Sequence, residues 1–345
     1  MIWLLLQKIS YRWGRWICSK IYQYCLNDYE KVVTFGQMLI STSRVSSLQL
    51  NYTQKKAALN INVECFDLMF SSPLTFAAFE SHFDSIYLWL ELGIGGGCLK
   101  TIKHHPHSGN PRPRMQQVCI DNKEHLINAL GLPGPGIDAF IQKVNHSKLS
   151  QYKCPIGLSI GGHSLSEYKA VMKTISKNSI DLQQLYFEIN ISCPNTDTGK
   201  SLHDNLTELE TLLTYYRTLT NQVIFIKVSP DASNQNLCDI ASLSSQFEKI
   251  AINAGNTQYR TCQSLELNSN SISIGGGGLS GPILFKRTLE MTQLLQQFKI
   301  PIIATGGVSS INQIKTLLEN KATLVGMATG LVKNPFDIPN LTKQI

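Results

Sequence analysis

From residue 63 onward, short apolar runs recur along the chain. They are "PLTFAA" (73–78), "GGCLKTI" (96–102), "PIGLSI" (155–160) and "LYFEINI" (185–191), then "VIFIKVS" (223–229), "KIAINAG" (249–255), "IPIIATGG" (300–307) and "TLVGMATG" (323–330). Between most of them lie stretches with apolar residues three and four apart, such as "SLSEYKAVMKTIS" and "SINQIKTLLENKA". That spacing predicts amphipathic helices. Near-continuous apolar runs predict parallel strands covered on both faces. Eight strand–helix units match an α/β fold of the (β/α)8 TIM-barrel class better than a doubly wound open sheet, which counting alone leaves open.

The first 45 residues keep a helical rhythm throughout. Ile2, Leu6, Ile9, Trp13, Trp16 and Tyr24 share one face, and Lys8, Arg12 and Arg15 share another. Residues 1–27 contain no acid. The run Ile2–Leu6 falls far short of the about 20 apolar residues that cross a bilayer, and no cleavage site follows it. A basic, Trp-rich amphipathic helix fits the membrane interface; a helix packed on its own domain is the second reading. A second helical pattern, "DYEKVVTFGQMLIST", starts at Asp28, which suits an N-cap. The expected organisation is a helical segment at 1–45, a linker at 46–62 and a barrel at 63–345.

Composition narrows the functional classes. An apolar fraction of 43% with 16% charged residues describes a folded chain with a large core. The net charge of +7 comes without a dense Lys/Arg block or a zinc-finger spacing, which argues against nucleic acid as a partner. Nine scattered cysteines with no C-x-x-C read as reduced thiols in a cytoplasmic setting. Three histidines crowd "KHHPHSG" (103–109), but Pro106 and the lack of a nearby carboxylate favour a solvated loop, and no metal is expected.

In a barrel of this kind, chemistry sits at the carboxyl ends of the strands. Those ends carry Lys100, Asn190, Cys193, Lys227, Asn253 and Asn256. Two glycine-rich turns, "GGGGLSG" (275–281) and "TGG" (305–307), are candidates for holding a phosphate, because glycine lets backbone N–H groups approach an anion. Neither a Walker sequence nor an early G-x-G-x-x-G is present, which disfavours nucleoside triphosphates and a Rossmann-bound nicotinamide. Lys227 lies inside "FIKVS", where a lysine is costly unless an anion pairs with it.

Eight stretches taken in order, "GNPRPR" (109–114), "NALGLPGPG" (128–136), "NISCPNT" (190–196), "IKVSPD" (226–231), "NAGNT" (253–257), "GGGLSGP" (276–282), "PIIATGG" (301–307) and "LVGMATG" (324–330), resemble dihydroorotate dehydrogenases. These are FMN-containing barrels of pyrimidine synthesis, and the resemblance runs over roughly residues 63 to 345. It implies oxidation of (S)-dihydroorotate to orotate on the route to UMP, with Cys193 as the catalytic base. The matching substrate positions are Lys100, Asn128, Leu130, Gly131, Leu132, Asn190, Asn195, Asn256 and Thr257. The matching FMN positions are Ala77, Ala78, Lys100, Thr101, Asn190, Lys227, Asn253, Gly278, Ser280, Gly281, Gly306, Gly307, Thr329 and Gly330.

The resemblance draws on two classes of the family. Cys193 in "SCPN", "GNPRPR" and "NALGLP" are similar to the soluble class; "GGLSGP", "FKRTLE" and the N-terminal helices are similar to the membrane-linked, quinone-using class. The expected acceptor is a quinone, with residues 1–27 as a peripheral contact on the cytoplasmic side of a membrane. Fumarate is the soluble alternative, and a homodimer is compatible with either. The chain departs from both classes at "AAFES" (77–81), where Phe79 stands in place of a glycine that packs against the flavin. That departure keeps a non-catalytic barrel used as a scaffold among the rivals. Another FMN barrel, such as a tRNA dihydrouridine synthase, ranks low for want of a basic RNA-binding domain.

Overall fold

The computed structural model describes residues 2–25, 28–43, 61–191 and 202–345. Helices α1 (Ile2–Cys25) and α2 (Glu30–Ser43) come first, followed by a small hairpin of β1 (Val63–Cys65) and β2 (Leu68–Phe70). The repeating part opens with β3 (Leu74–Phe76), α3 (Phe83–Leu92) and β4 (Gly96–Ile102). A hairpin of β5 (Met115–Ile120) and β6 (Lys123–Asn128) precedes α4 (Ile137–Asn145) and β7 (Pro155–Ile160). Then come α5 (Leu165–Ser176), β8 (Gln184–Asn190), α6 (Leu206–Arg217), β9 (Ile224–Val228), α7 (Asn234–Ser244) and β10 (Ile250–Ala254). Two further strands, β11 (Gln258–Thr261) and β12 (Gly276–Ser280), lead to α8 (Phe285–Leu295) and β13 (Ile302–Thr305). The chain finishes with α9 (Ile311–Glu319), β14 (Leu324–Met327), α10 (Thr329–Lys333) and α11 (Ile338–Thr342).

Eight of these strands close into a barrel, in the cyclic order β3, β4, β7, β8, β9, β10, β13, β14. Closure is made by β14 against β3, parallel like every other pair, with Val325 beside Leu74. The eight apolar runs are these eight strands, so the (β/α)8 expectation holds and the open sheet is excluded. The physical reason is burial on both faces: every residue of β7, β9 and β10 is buried. Four of the helices, α5, α6, α7 and α9, start where a small polar residue satisfies one of the first N–H groups. Ser164 accepts from Glu167 N ahead of α5, and Ser310 forms a reciprocal capping box with Gln313 ahead of α9.

The two insertions form an antiparallel sheet in the order β11, β12, β6, β5. Here one expectation is corrected. The run "GGGGLSG" is mostly a strand, β12, rather than a turn. Its glycines allow strands to approach where a side chain would collide: a Cβ at Gly277 would lie 2.4 Å from Asn128 O, and one at Gly278 would lie 1.9 Å from Thr257 Oγ1.

Helix α1 packs with two of its cationic residues, Lys8 and Arg15, toward the barrel. Tyr11 is buried and its hydroxyl donates to Val332 O at 2.8 Å. Arg15 reaches Glu124 at 3.0 Å and Lys333 O at 3.3 Å, and Lys8 pairs with Asp337. Arg12 remains exposed. The opposite face leaves Ile9, Ile17 and Ile21 exposed together with Trp13 (62%) and Trp16 (56%). The side chains of Ile2, Leu6 and Tyr24 lie outside the described residues. Among the described residues no helix is long and apolar enough to cross a membrane.

Helix α2 is fixed at its start by charge. Asp28 lies two residues ahead of the first helical residue rather than at the N-cap position; its Oδ1 accepts from Glu30 N at 3.2 Å, and its Oδ2 accepts from Arg112 at 3.1 Å. Glu30 receives Arg114 through both carboxylate oxygens, at 2.8 and 3.0 Å. The two arginines of "GNPRPR" therefore hold α2 against the loop that leads into β5.

Candidate active site

A cavity of about 880 Å³ opens at the carboxyl ends of the barrel strands, roofed by the inserted sheet and by α2. That volume lies in the range of cofactor and substrate sites. Sequence register explains why polar groups gather there. Asn190, Lys227 and Asn253 end three adjacent strands at one level: Asn190 pairs with Lys227, and Lys227 with Asn253.

Most of the positions singled out from the sequence line this cavity. Ala77, Ala78, Lys100 and Thr101 lie on one wall; Asn128, Leu130, Gly131, Leu132, Asn256 and Thr257 lie beneath the inserted sheet. Asn190 and Lys227 lie toward the barrel axis, and Ser280, Gly281, Gly306, Gly307, Thr329 and Gly330 complete the far side. Asn253 and Gly278 are not on the wall. Asn253 stands behind it, bonded to a buried carboxylate, and Gly278 is held against Asn128 and Thr257. Cys193 and Asn195 lie outside the described residues. Phe79 remains on the cavity wall, but its ring packs on Trp89 with centroids 5.4 Å apart, so most of its bulk is taken up by the core.

The floor is a hydrogen-bonded network whose centre the sequence reading missed. Glu188, fully buried on β8, accepts from Ser159 Oγ at 2.9 Å and from Asn253 Nδ2 at 2.6 Å. Its Oε1 lies 3.8 Å from Lys227 Nζ. Ser159 also contacts Thr101 Oγ1 at 2.9 Å, which accepts from Asn190 Nδ2 at 3.0 Å. The signal for Glu188 was available. An acid inside the apolar run "LYFEINI" raises the same question as the lysine inside "FIKVS".

The rim is also charged. Glu80 accepts two bonds from Gln37 Nε2, at 3.0 and 2.8 Å, and two from the backbone N–H groups of Ser81 and His82, both at 2.8 Å. Burial lowers the Lys100 pKa below the ordinary lysine range; Glu80 and Glu30 partly restore it, and Arg114 lowers it further. For Glu30, burial acts upward, but the hydrogen bond and charge of Arg114, with Arg112 and Lys100, outweigh it and the carboxyl ends below its usual range. Neither Glu80 nor Glu30 had a local sequence signal, because their side-chain partners, Gln37 for Glu80 and Arg114 for Glu30, come from distant segments.

The glycine turn at 305–307 requires glycine. Gly306 and Gly307 take φ of +138° and +71°, and a Cβ on Gly307 would lie 2.4 Å from Phe285 N. Ser309, Ser310 and Gln313, at the start of α9, line the cavity beside them. Two buried acceptors nearby, Asn253 Oδ1 and Thr305 Oγ1, have no hydrogen-bond partner among the described residues. The histidine-rich loop is a separate feature: His104 and His105 contact each other at 3.1 Å. Among the described residues no group of His, Cys, Asp or Glu is arranged to hold a metal ion.

Comparison with known proteins gives a consistent family. The family model described as dihydroorotate dehydrogenase matches residues 60–345. A dihydroorotate dehydrogenase (quinone) of Trichodesmium erythraeum is 27% identical over 333 residues, covering 93% of this chain and 86% of that protein. One from Brucella anthropi is 30% identical over 297 residues, covering 83% and 79%. The catalytic subunit of a dihydroorotate dehydrogenase B (NAD(+)) from Thermotoga maritima is 28% identical over 282 residues, covering 81% and 95%. A crystal structure of DHODH from Eimeria tenella in complex with ferulenol shares the fold at TM-score 0.76 and 20% identity, covering 94% of this chain and 93% of that one. The matched residues span all eight barrel strands and both insertions, and the chain belongs to the dihydroorotate dehydrogenase family as an oxidoreductase acting on dihydroorotate.

Proposed function

We propose that the cavity holds FMN and dihydroorotate together, that Cys193 is the base, and that a quinone takes up the electrons. The observation that carries this reading is the meeting of Lys100, Asn128, Asn190, Lys227 and Asn256 on one cavity at the strand ends. The residues present fit FMN. Gly306 and Gly307, both at positive φ, line the cavity beside the start of α9, where backbone N–H groups can approach a phosphate. Thr305 lines the same side of the cavity, and its hydroxyl oxygen has no partner among the described residues, which suits a ligand rich in polar groups.

Oxidising dihydroorotate removes a proton from C5 and a hydride from C6. Bound FMN would supply the hydride acceptor. Cys193 follows Asn190 by three residues, within the roughly 11 Å that three extended residues can span, and Asn190 is on the cavity wall. A thiol suits the proton-removal role because its reference pKa of ~8.5 lies far closer to neutrality than that of a serine hydroxyl. Asn128 and Asn256 offer a donor and an acceptor from one planar group, which matches the imide and carbonyl edge of the pyrimidine. Lys100 and Lys227 supply positive charge for the carboxylate and for the electrons that arrive during reaction.

The outer part of the cavity and α1 favour a quinone as the acceptor. Val33 and Thr34 of α2, with Met115, Leu126 and Val332, line the way in from the helical side. The exposed Trp13 and Trp16 face, flanked by Arg12 and Lys20, would seat that side on a lipid surface where a quinone is dissolved. The charged rim at Lys123, Glu124 and Lys333 also suits a small dicarboxylate, which keeps fumarate as the second reading.

The test is optical. Purified protein reconstituted with FMN should be yellow and should bleach on anaerobic addition of dihydroorotate, and a short-chain quinone should restore the colour faster than fumarate. A protein that takes up no FMN overturns the cofactor assignment, and restoration by fumarate alone overturns the quinone.

A further inference from the structure

The carboxylate at the cavity floor has no part in the chemistry described above. Glu188 is 1% exposed and Lys227 is 5% exposed, both within barrel strands. Three donors from three strands converge on it: Ser159 from β7, Lys227 from β9 and Asn253 from β10. Fold stability is a poor explanation for this arrangement. A buried ion pair commonly gains nothing over apolar residues of the same volume, and the neighbouring layers of this barrel are apolar. The pair is also one-sided. Lys227 reaches the cavity, whereas Glu188 lies behind it and is not part of the wall.

We propose that Glu188 is a positioning residue for Lys227, holding its ammonium at the cavity floor and setting how much positive charge a bound FMN meets. This rests on the FMN reading above. FMN gains one negative charge when it takes a hydride, so positive charge at the floor favours its reduced state. Lys227 alone would present a full charge. Lys227 backed by Glu188 presents a dipole with its positive end toward the cavity, which favours the reduced state less. Glu188 thus keeps the potential of the bound cofactor lower than a lone lysine would, which helps the reduced cofactor pass its electrons on.

The experiment is a spectroelectrochemical titration of the FMN-loaded protein and its variants. Glu188→Gln keeps the shape and removes the negative charge. The two-electron midpoint potential should then rise by about 30 mV, the equivalent of a tenfold shift in preference toward reduced FMN. Lys227→Met should shift it the opposite way. Should Glu188→Gln not fold, Glu188→Asp withdraws the charge by one methylene and should give a smaller rise. Glu188→Gln, or Glu188→Asp in its place, binding FMN with an unchanged potential overturns the proposal while leaving the FMN reading intact. Wild-type protein that binds no FMN removes that reading, and the proposal with it.

Discussion

The floor and the rim of the cavity both carry acid–base pairs but are built differently. At the floor, Glu188 and Lys227 sit on neighbouring strands, buried and fixed by backbone register. At the rim, Glu30 belongs to a helix and Arg114 to a loop 84 residues later, and the Glu30 side chain keeps 20% of its surface in solvent. The floor pair came from two oddities in apolar runs, each visible in the sequence. The rim pair depends on docking α2 against the barrel. Position in the fold therefore decides what each pair is worth: one is costly to break, and the other is adjustable.

The largest expected effect comes from breaking the floor. Lys227→Ala leaves Glu188 as an uncompensated buried charge and should cost about 3–5 kcal/mol in urea denaturation. A cost near zero would place Glu188 in contact with water and remove the distinction between floor and rim. At the rim, Glu30→Gln should cost less, about 1–2 kcal/mol, because Glu30 keeps part of its surface in solvent and the amide oxygen can still accept from the buried Arg114.

Acid should sharpen the same contrast. The Glu30 carboxyl is held below its usual range in the folded chain, so its contribution is fully present above the unfolded value of about 4.3 and is lost as pH falls through the lower folded value. Thermal melts from pH 6 to pH 3 should show a loss in wild type that is smaller in Glu30→Gln. Identical pH dependence in the two would mean that the Arg114 pair does not hold α2.

The smallest effect on stability is expected on the outer face of α1. Replacing Trp13 and Trp16 with alanine should change stability by no more than about 0.5 kcal/mol, because both are exposed. The same change should abolish co-sedimentation with vesicles containing anionic lipid. Retained binding would assign the membrane contact to another surface.

Much of this molecule could be read from its sequence. Parallel strands buried on both faces leave apolar runs that stand out, so all eight barrel strands were visible together with the polar residues that end them. Elements outside that pattern were harder to see. β12 is rich in glycine, and nothing in a glycine run signals a strand; only its close approach to Asn128 and Thr257 explains the composition. The orientation of α1 was hidden because a helical wheel cannot tell which of two faces meets the barrel. Lys8 and Arg15 turn inward because Asp337 and Glu124 await them from far along the chain. Glu80 and Glu30 were missed for the same reason.

The proposed chemistry is tested most directly by the rate of FMN bleaching in anaerobic stopped-flow, comparing wild type with Cys193→Ala at saturating dihydroorotate. Loss of the base should slow bleaching by roughly 10²–10⁴-fold while FMN and dihydroorotate still bind. Bleaching at the wild-type rate in Cys193→Ala would contradict the assignment and move the proton-removal role to another group on the cavity.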